Sequence, residues 1–340
     1  MNAGSEHRAT VAPGTDADQQ VSADESAGEG SIDVTVIIVT YNAGEFVRAC
    51  LESLLGPGRP TSRYEVIVVD NASTPSLGPL LREYLDERSI VCLDENVGFG
   101  RACNLAAERA RGRHILLLNP DAEVRAGTVD ALVRAADDEP HAGVLGGRTV
   151  TRSGEVDPHS CWGAPTLWSS FCFATGLSTA FAGSARFDPE SLGPWLRDTE
   201  RDVGIVTGSL LLVPATVWRE VGGFDPTFFM YAEDADLCRR IRTSGRRVWI
   251  TPDAVALHSG GASSSSGDKT VLLMTGRVTY TRKSFAPWAV PVVRAFLLAG
   301  VGLRALLSRL RGHPDVGWVH AWARRDEWRR GYPEPVDVRT

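Results

Sequence analysis

A doubly wound α/β fold, with a mostly parallel sheet covered by helices on both faces, is what this sequence predicts. Three observations carry that prediction. Short β-branched runs recur without polar interruption, as expected of strands buried on both faces. Helix-like segments alternate with them over short connections, the signature of parallel crossovers. Polar residues stand directly after each run, where open sheets of this kind bind ligands.

The elements follow in order. Val34 to Thr40 (VTVIIVT) reads as the first strand, and Glu65 to Asp70 (EVIVVD) and His114 to Leu118 (HILLL) repeat the pattern. Helices are expected at about 44–55, 77–88 and 99–111, a further strand over Gly204 to Val213, and a helix over Glu233 to Thr243. Residues 151–203 lose the alternation and carry Trp162, Trp168 and Trp195, which suggests an irregular region over the sheet. The strand ends read Thr40-Tyr41-Asn42, Asp70-Asn71-Ala72-Ser73, Asn96-Val97-Gly98 and Asn119-Pro120-Asp121, so four of them converge on one polar crevice.

Composition bounds the rest. The 340 residues are 43% hydrophobic and 23% charged, enough for a full core. The net charge of -6 is concentrated in residues 1–30, where six acidic residues face Arg8 alone. That segment lacks apolar periodicity and the basic start and apolar stretch of a signal peptide, and is expected to be disordered. The remainder is near neutral, and no nucleic-acid partner is expected. The six cysteines form no CxxC pair, which fits reduced core thiols and a cytoplasmic setting. The expected layout is an acidic tail over 1–31, a catalytic domain over 32–276 and a helical extension over 277–340.

Two clusters carry chemistry. A carboxylate on a tight turn just past a buried strand suits a divalent cation and the charge of a departing diphosphate, and Asp121, stiffened by Pro120, meets that requirement. Turn chemistry alone offers the alternative of a simple cap. The second cluster is Gly222-Gly223-Phe224-Asp225, followed by Glu233-Asp234-Ala235-Asp236 at a helix start among aromatic residues. Crowded carboxylates in a partly apolar wall acquire raised pKa values useful to a general base. The alternative is that they complement the helix N-terminus. Asp236 can pair with Arg239 or Arg240 at i+3 and i+4 and is set aside; Asp234 is the first choice and Glu233 the second.

From Val34 to His258 the chain resembles the inverting family 2 glycosyltransferases of GT-A fold, especially their bacterial rhamnosyltransferase-like branch. The resemblance rests on VIIVTYN, VIVVDNAS, NVGFGRACN, LLLNPDAEV, GSLLLVPATVWREVGGFDPTFFMYAEDADLCRR and the later His258, in that order. It implies that Thr40, Asn42 and Asp70 contact the nucleoside, Asp70 at the base, and that Asn96 and Asn104 frame the nucleotide pocket. It implies Asp121 as metal ligand and Asp234 as base for a single displacement with inversion, with Mg²⁺ or Mn²⁺ as cofactor. dTDP-rhamnose is the leading donor of that branch, and the acceptor is a saccharide, lipid-linked in one form.

One departure stands out. The usual metal motif is Asp-x-Asp, and here its first position is Asn119, which can hydrogen-bond sugar hydroxyls but adds no charge. The site is then expected to depend on substrate phosphate for completion. His258 resembles the late histidine of many GT-A metal sites, with a purely structural role as the alternative. Gly260 to Gly267 reads as a lid or a linker, and Trp162 and Trp168 as acceptor platforms or core residues. A dinucleotide-dependent oxidoreductase is excluded because the first strand turn lacks glycine pairs and Cys103 stands where Gly98-x-Gly100 needs a third small residue. A catalytically silent sugar-nucleotide-binding or scaffold protein of the same fold is the other class; intact Asp121 and Asp234 oppose it.

From Arg277 to Arg330 eleven basic residues face three acidic ones around an apolar stretch, Phe285 to Leu310. Arg294, Arg304, Pro287 and Pro291 interrupt it, so the expectation is an interfacial helix at the inner face of the membrane rather than a spanning one, with an ordinary packed helix as the alternative.

Overall fold

The central sheet follows from the buried runs. In the computed structural model, β1 (Val34–Thr40) is buried along its whole length, and β2 (Tyr64–Asp70), β3 (Ile90–Cys92) and β4 (His114–Leu118) lie beside it in the order β3-β2-β1-β4, all parallel. The structure describes Met1 and residues 31–258, 266–312 and 316–334. The acidic tail and most of the expected Gly260–Gly267 lid lie outside those residues.

Register brings the strand ends level, with Thr40 opposite Asp70 and Asp70 opposite Cys92. After β4 the chain forms β5 (Ala122–Val124), β6 (Ala142–Val150), a two-residue β7 (Cys161–Trp162), β8 (Arg201–Asp202), β9 (Ile205–Val206), β10 (Leu210–Pro214) and β11 (Arg247–His258), and the central sheet continues through β5, β6, β8, β10 and β11. Its order there is β10-β6-β11-β5, with β8 on β11, while β7 and β9 form a separate pair. β10 runs antiparallel between β4 and β6, so its first residues sit beside the carboxyl end of β4, Leu210 opposite Leu118. β11 meets β5 antiparallel, and His258 stands opposite Ala122, next to Asp121.

Helices α1 (Gly44–Leu55), α2 (Gly78–Leu81), α3 (Phe99–Ala107) and α4 (Thr128–Asp138) cover the two faces. One core layer joins Ile37, Val69 and Leu117 to α3; the other joins Val36, Val68 and Leu116 to α1 and α4. Alternate residues of each strand feed opposite layers, as the pleat demands.

Three expected elements are shorter. The helix expected over 77–88 is a single turn, because the backbone is already extended at Asp86. α3 ends at Ala107, and the chain then turns to bring the Gly112 amide onto Thr35 Oγ1 at 2.9 Å; a Cβ on Gly112 would stand 2.4 Å from the Thr35 nitrogen. The strand expected over 204–213 is split into β9 and β10, and the turn between them aims the Gly208 amide at a side chain described below.

The irregular region holds α5 (Leu167–Thr175) and α6 (Leu177–Ala180); α7 (Ala215–Val221) and α8 (Glu233–Thr243) follow. The chain closes with α9 (Ser266–Ser284), α10 (Ala289–Leu310), α11 (Val316–Ala323) and α12 (Arg325–Trp328). The boundary expected at 276/277 falls inside α9, and Ile32–Thr340 form one unit, the other being Met1–Ser31. Pro291 does not interrupt α10: it sits in the first turn, where a missing N–H leaves no hydrogen bond unmade, and 22 residues run on unbroken.

Candidate active site

On the β1–β3 side the polar strand ends are locked to one another. Asp70, at the end of β2 and 1% exposed, accepts from the Ser73 amide at 3.0 Å, the Ser76 hydroxyl at 3.0 Å and the Leu77 amide at 2.7 Å. Its carboxylate therefore shapes the loop of residues 71–77. Asn42, held at φ 51°, donates its backbone N–H to Ser73 Oγ and accepts from the Thr74 amide, both at 2.8 Å. Thr40 is fully buried, and its Oγ1 has no partner within the protein.

Asn71, named at a strand end but given no role in the sequence, ties the first three strand ends together. Its N–H donates to the Thr40 carbonyl at 2.9 Å, its Oδ1 accepts from the Val97 amide at 3.0 Å, and its Nδ2 donates to Asn96 Oδ1 at 3.0 Å. Asn96 Oδ1 also accepts from the Gly98 amide. Gly98, at φ 88°, lies so close to the Phe229 carbonyl that an added Cβ would stand 2.4 Å from it. The only signal for Asn71 in the sequence was its place beside Asp70.

Asn104 is held by distant backbone. Its Nδ2 donates to the Phe224 carbonyl at 2.8 Å and its Oδ1 accepts from the Phe224 amide at 2.9 Å, so both halves of the side-chain amide hold the backbone of the Gly-Gly-Phe-Asp turn. It braces the loop that leads to α8.

On the other side, Asp121 and His258 meet. His258 Nε2 lies 3.4 Å from Asp121 Oδ1, and its Nδ1 lies 3.3 Å from Asp157 Oδ2. Burial alone would lower the imidazole pKa, but hydrogen bonding and charge from Asp121 and Asp157 outweigh it and raise the value to about 9. Asp157 is held well below the ordinary carboxylate range: burial opposes this, but hydrogen bonds from His159 and His258 prevail. It is a residue no sequence signal singled out, and a carboxylate behind a histidine is how metal-binding imidazoles are oriented. Asp121 and His258 supply one hard oxygen and one imidazole nitrogen, donors suited to Mg²⁺ or Mn²⁺. Among the described residues no group of three His, Cys, Asp or Glu side chains makes a complete cage. The Asn119 backbone is fixed here too, its amide donating to the Ser209 carbonyl at 3.1 Å.

The acidic start of α8 closes the crevice. Gly208, one residue before Ser209, donates its N–H to Asp234 Oδ2 at 3.2 Å, and the Ala235 amide donates to Asp234 Oδ1 at 2.7 Å. Asn119 and Asp234 are thus joined through two consecutive residues of one turn. Burial raises the pKa of Asp234. The pKa of Glu233 is raised to about 8, by burial and then by the charge of Asp234, and its Oε2 has no partner within the protein. Two N–H donors favour the anion of Asp234 while Glu233 has none at Oε2, so of this coupled pair Asp234 gives up its proton first. Asp236 is fully buried and paired with Arg239 at 2.8 Å and Arg240 at 2.7 Å, as its spacing predicted. Tyr231 and Ala232, which lead into α8, both hold positive φ, 66° and 71°. Such backbone conformations are uncommon for non-glycine residues and gather where a site is held in shape by its surroundings.

Trp168 stacks on Phe171 at 5.5 Å, out on α5, and Trp162 packs partly buried against the core. An aspartate of raised pKa beside a buried glutamate has the chemistry of a general base for a hydroxyl, and a carboxylate–imidazole pair that of a cation site.

Comparison with known proteins agrees with that chemistry. The profile of Glycosyl transferase family 2 matches residues 35–189. The N-acetylglucosaminyl-diphospho-decaprenol L-rhamnosyltransferase of Mycobacterium tuberculosis (strain ATCC 25618 / H37Rv) is 31% identical over 265 residues, covering 72% of this chain and 82% of the relative. The chain belongs to glycosyl transferase family 2. Rhamnosyltransferase WbbL of Escherichia coli (strain K12) is a second relative, 24% identical over 66% of this chain and 83% of its own. Among solved structures, the mannosyltransferase PcManGT from Pyrobaculum calidifontis in complex with GDP-Man and Mn2+ superposes with a TM-score of 0.56 at 20% identity, over 88% of each chain. The fold of this family 2 protein is GT-A, and the protein is a nucleotide-sugar-dependent glycosyltransferase.

Proposed function

We propose that this enzyme transfers L-rhamnose from dTDP-rhamnose to a hydroxyl of a saccharide carried on a polyprenyl diphosphate, with inversion, in the cytoplasm, during synthesis of a cell-wall or surface polysaccharide. Rhamnose and a lipid-linked acceptor are suggested by the relative from Mycobacterium tuberculosis, whose name specifies both. The observation that carries the reaction is Asp234, half-buried, held by two backbone amides and flanked by a buried glutamate whose pKa is raised to about 8.

In this reading the nucleoside diphosphate lies along the strand ends, against Thr40, Asn42, Asp70, Asn96 and Asn119. Thr40 Oγ1 and Ser209 Oγ, both buried and without a protein partner, are donors available to it. Asp234 accepts the proton of the acceptor hydroxyl as its oxygen bonds to the anomeric carbon, and the bond from that carbon to the diphosphate breaks with the electron pair leaving on the phosphate. Asp121 and His258 would hold Mg²⁺ or Mn²⁺, which supplies positive charge to the leaving diphosphate. Asp157 keeps the His258 ring oriented throughout.

Transfer measured with dTDP-rhamnose, UDP- and GDP-linked sugars, each with Mg²⁺, Mn²⁺ or a chelator, tests the reading. Turnover with dTDP-rhamnose that a chelator abolishes is the expected result. Binding of every donor without transfer to any saccharide would establish the silent alternative, and a different preferred donor would overturn rhamnose alone.

A further inference from the structure

The outer face of α10 reverses the usual arrangement of a surface helix. Trp288, Val292, Ala295, Ala299, Leu306 and Leu310 are all exposed and follow one another at intervals of three, four or seven residues, which places them on one side. Leu310 is 73% exposed and Trp288 69%. The arginines that interrupt this apolar sequence turn the other way. Arg304 donates to the Phe173 carbonyl at 2.7 Å and to Thr179 Oγ1 at 2.8 Å, and Arg294 donates to the Arg329 carbonyl at 2.6 Å. Charge is spent on backbone inside while the apolar stripe faces out.

α5 extends the stripe. Phe171, exposed, sets its ring edge against Phe296 of α10 at 5.8 Å, and exposed Trp168 stacks on Phe171 in turn. An apolar groove of about 450 Å³, lined by Leu298, Leu303, Leu306, Arg309 and Trp322 among others, opens beside it. Along α10 and the chain before it the charge has one sign, while Asp188 and Glu190 stand beside α5, Glu190 paired with Arg277. Arg309 and Arg311 are exposed at the end of the ridge, and from Lys269 to His313 the sequence contains eight Lys and Arg residues and no Asp or Glu.

We propose that the α5–α10 ridge docks on the surface of a bilayer containing anionic lipid, its apolar stripe entering the boundary between headgroups and acyl chains and Arg309 and Arg311 meeting phosphate. The charge selects this occupant. In a two-fold dimer packed through α10, Arg309 and Arg311 of the two copies would be brought together, with no acidic residue on that helix to pair them. The contact is peripheral. α10 is long and apolar enough to cross a membrane, but its inner side is packed in a core with Val293, Leu297, Val301 and Trp328 buried, and its two inward arginines bind it to α5 and to the segment after α12. The inference stands on this face alone and does not depend on which sugar the crevice transfers.

The test is flotation of the full chain with vesicles of phosphatidylcholine and of phosphatidylcholine mixed with phosphatidylglycerol. The protein should float with the anionic vesicles and be released by salt or alkaline carbonate. The exposed double variant Leu306→Glu/Leu310→Glu should lose binding by at least about ten-fold, and Arg309→Glu/Arg311→Glu should lose the preference for phosphatidylglycerol. Both should keep the wild-type melting temperature and transfer to a water-soluble acceptor, which separates loss of docking from loss of fold or catalysis. The proposal is overturned if wild type stays with the soluble fraction or the Leu variant floats equally well. It is also overturned if binding resists carbonate, which indicates insertion, or if ultracentrifugation shows a dimer that Leu306→Glu/Leu310→Glu dissociates without any vesicle binding.

Discussion

The two sides of the crevice treat their carboxylates oppositely. At the ends of β1 to β3, Asp70 accepts three hydrogen bonds from its own loop and Asn71 satisfies three neighbours, so polar groups are consumed in making the surface. At the start of α8, half-buried Asp234 and buried Glu233 have fewer partners, and desolvation drives both pKa values up. On one side the carboxylate is spent on its own loop; on the other, desolvation leaves carboxylates with pKa values raised toward those of a general base. The contrast recurs within a single helix turn, where Asp236, two residues from Asp234, is neutralised by two arginines.

The sharpest way to break this comparison is at Asp234. Asp234→Asn keeps the shape and removes the base, so kcat should fall by about 10³-fold with the melting temperature unchanged or raised. Normal turnover in a folded variant would assign the base elsewhere. Next comes Asp236→Ala, which leaves Arg239 and Arg240 without their buried partner. A stability loss of about 4 kcal/mol by denaturant titration is expected, and near-neutrality would show that the pair is not structural. Asp70→Ala should cost about 2 kcal/mol and weaken donor binding, with kcat at saturating donor much less affected. An effect on kcat alone would move Asp70 to the reactive side.

The smallest effect, Glu233→Gln, is read through pH. Burial raises the Glu233 pKa, so the folded chain keeps a proton that the unfolded chain releases above about 4.5, the ordinary glutamate value. Stability contributed at this position therefore falls as pH rises past that value. The variant should match wild type near pH 4.5 and gain melting temperature over it toward neutral pH. A constant gap across that range would mean that Glu233 is not held protonated.

Legibility in the sequence follows the range of the interactions. The strands, the convergence of their ends and the Asp236 pairing with Arg239 and Arg240 depend on neighbours within a few positions, and the side-chain pattern displays them. The contacts of Asn104 and Asp157 have no trace in the sequence because their partners, Phe224 and His258, lie 120 and 101 residues away. The turn between β9 and β10 was hidden for the same reason: GIVTGSLLLV has the composition of one strand, and only Asp234 gives its middle a purpose.

The sequence by itself determined the α/β class, the order of the buried strands and which carboxylates stand at their ends, since burial on both faces leaves a run of β-branched residues wherever it occurs. The tertiary structure decided how far each carboxylate, at a strand end or at the start of α8, is satisfied by hydrogen bonds. That depends on desolvation and on donors supplied by distant backbone, quantities that belong to a position in space and have no trace in the residues on either side.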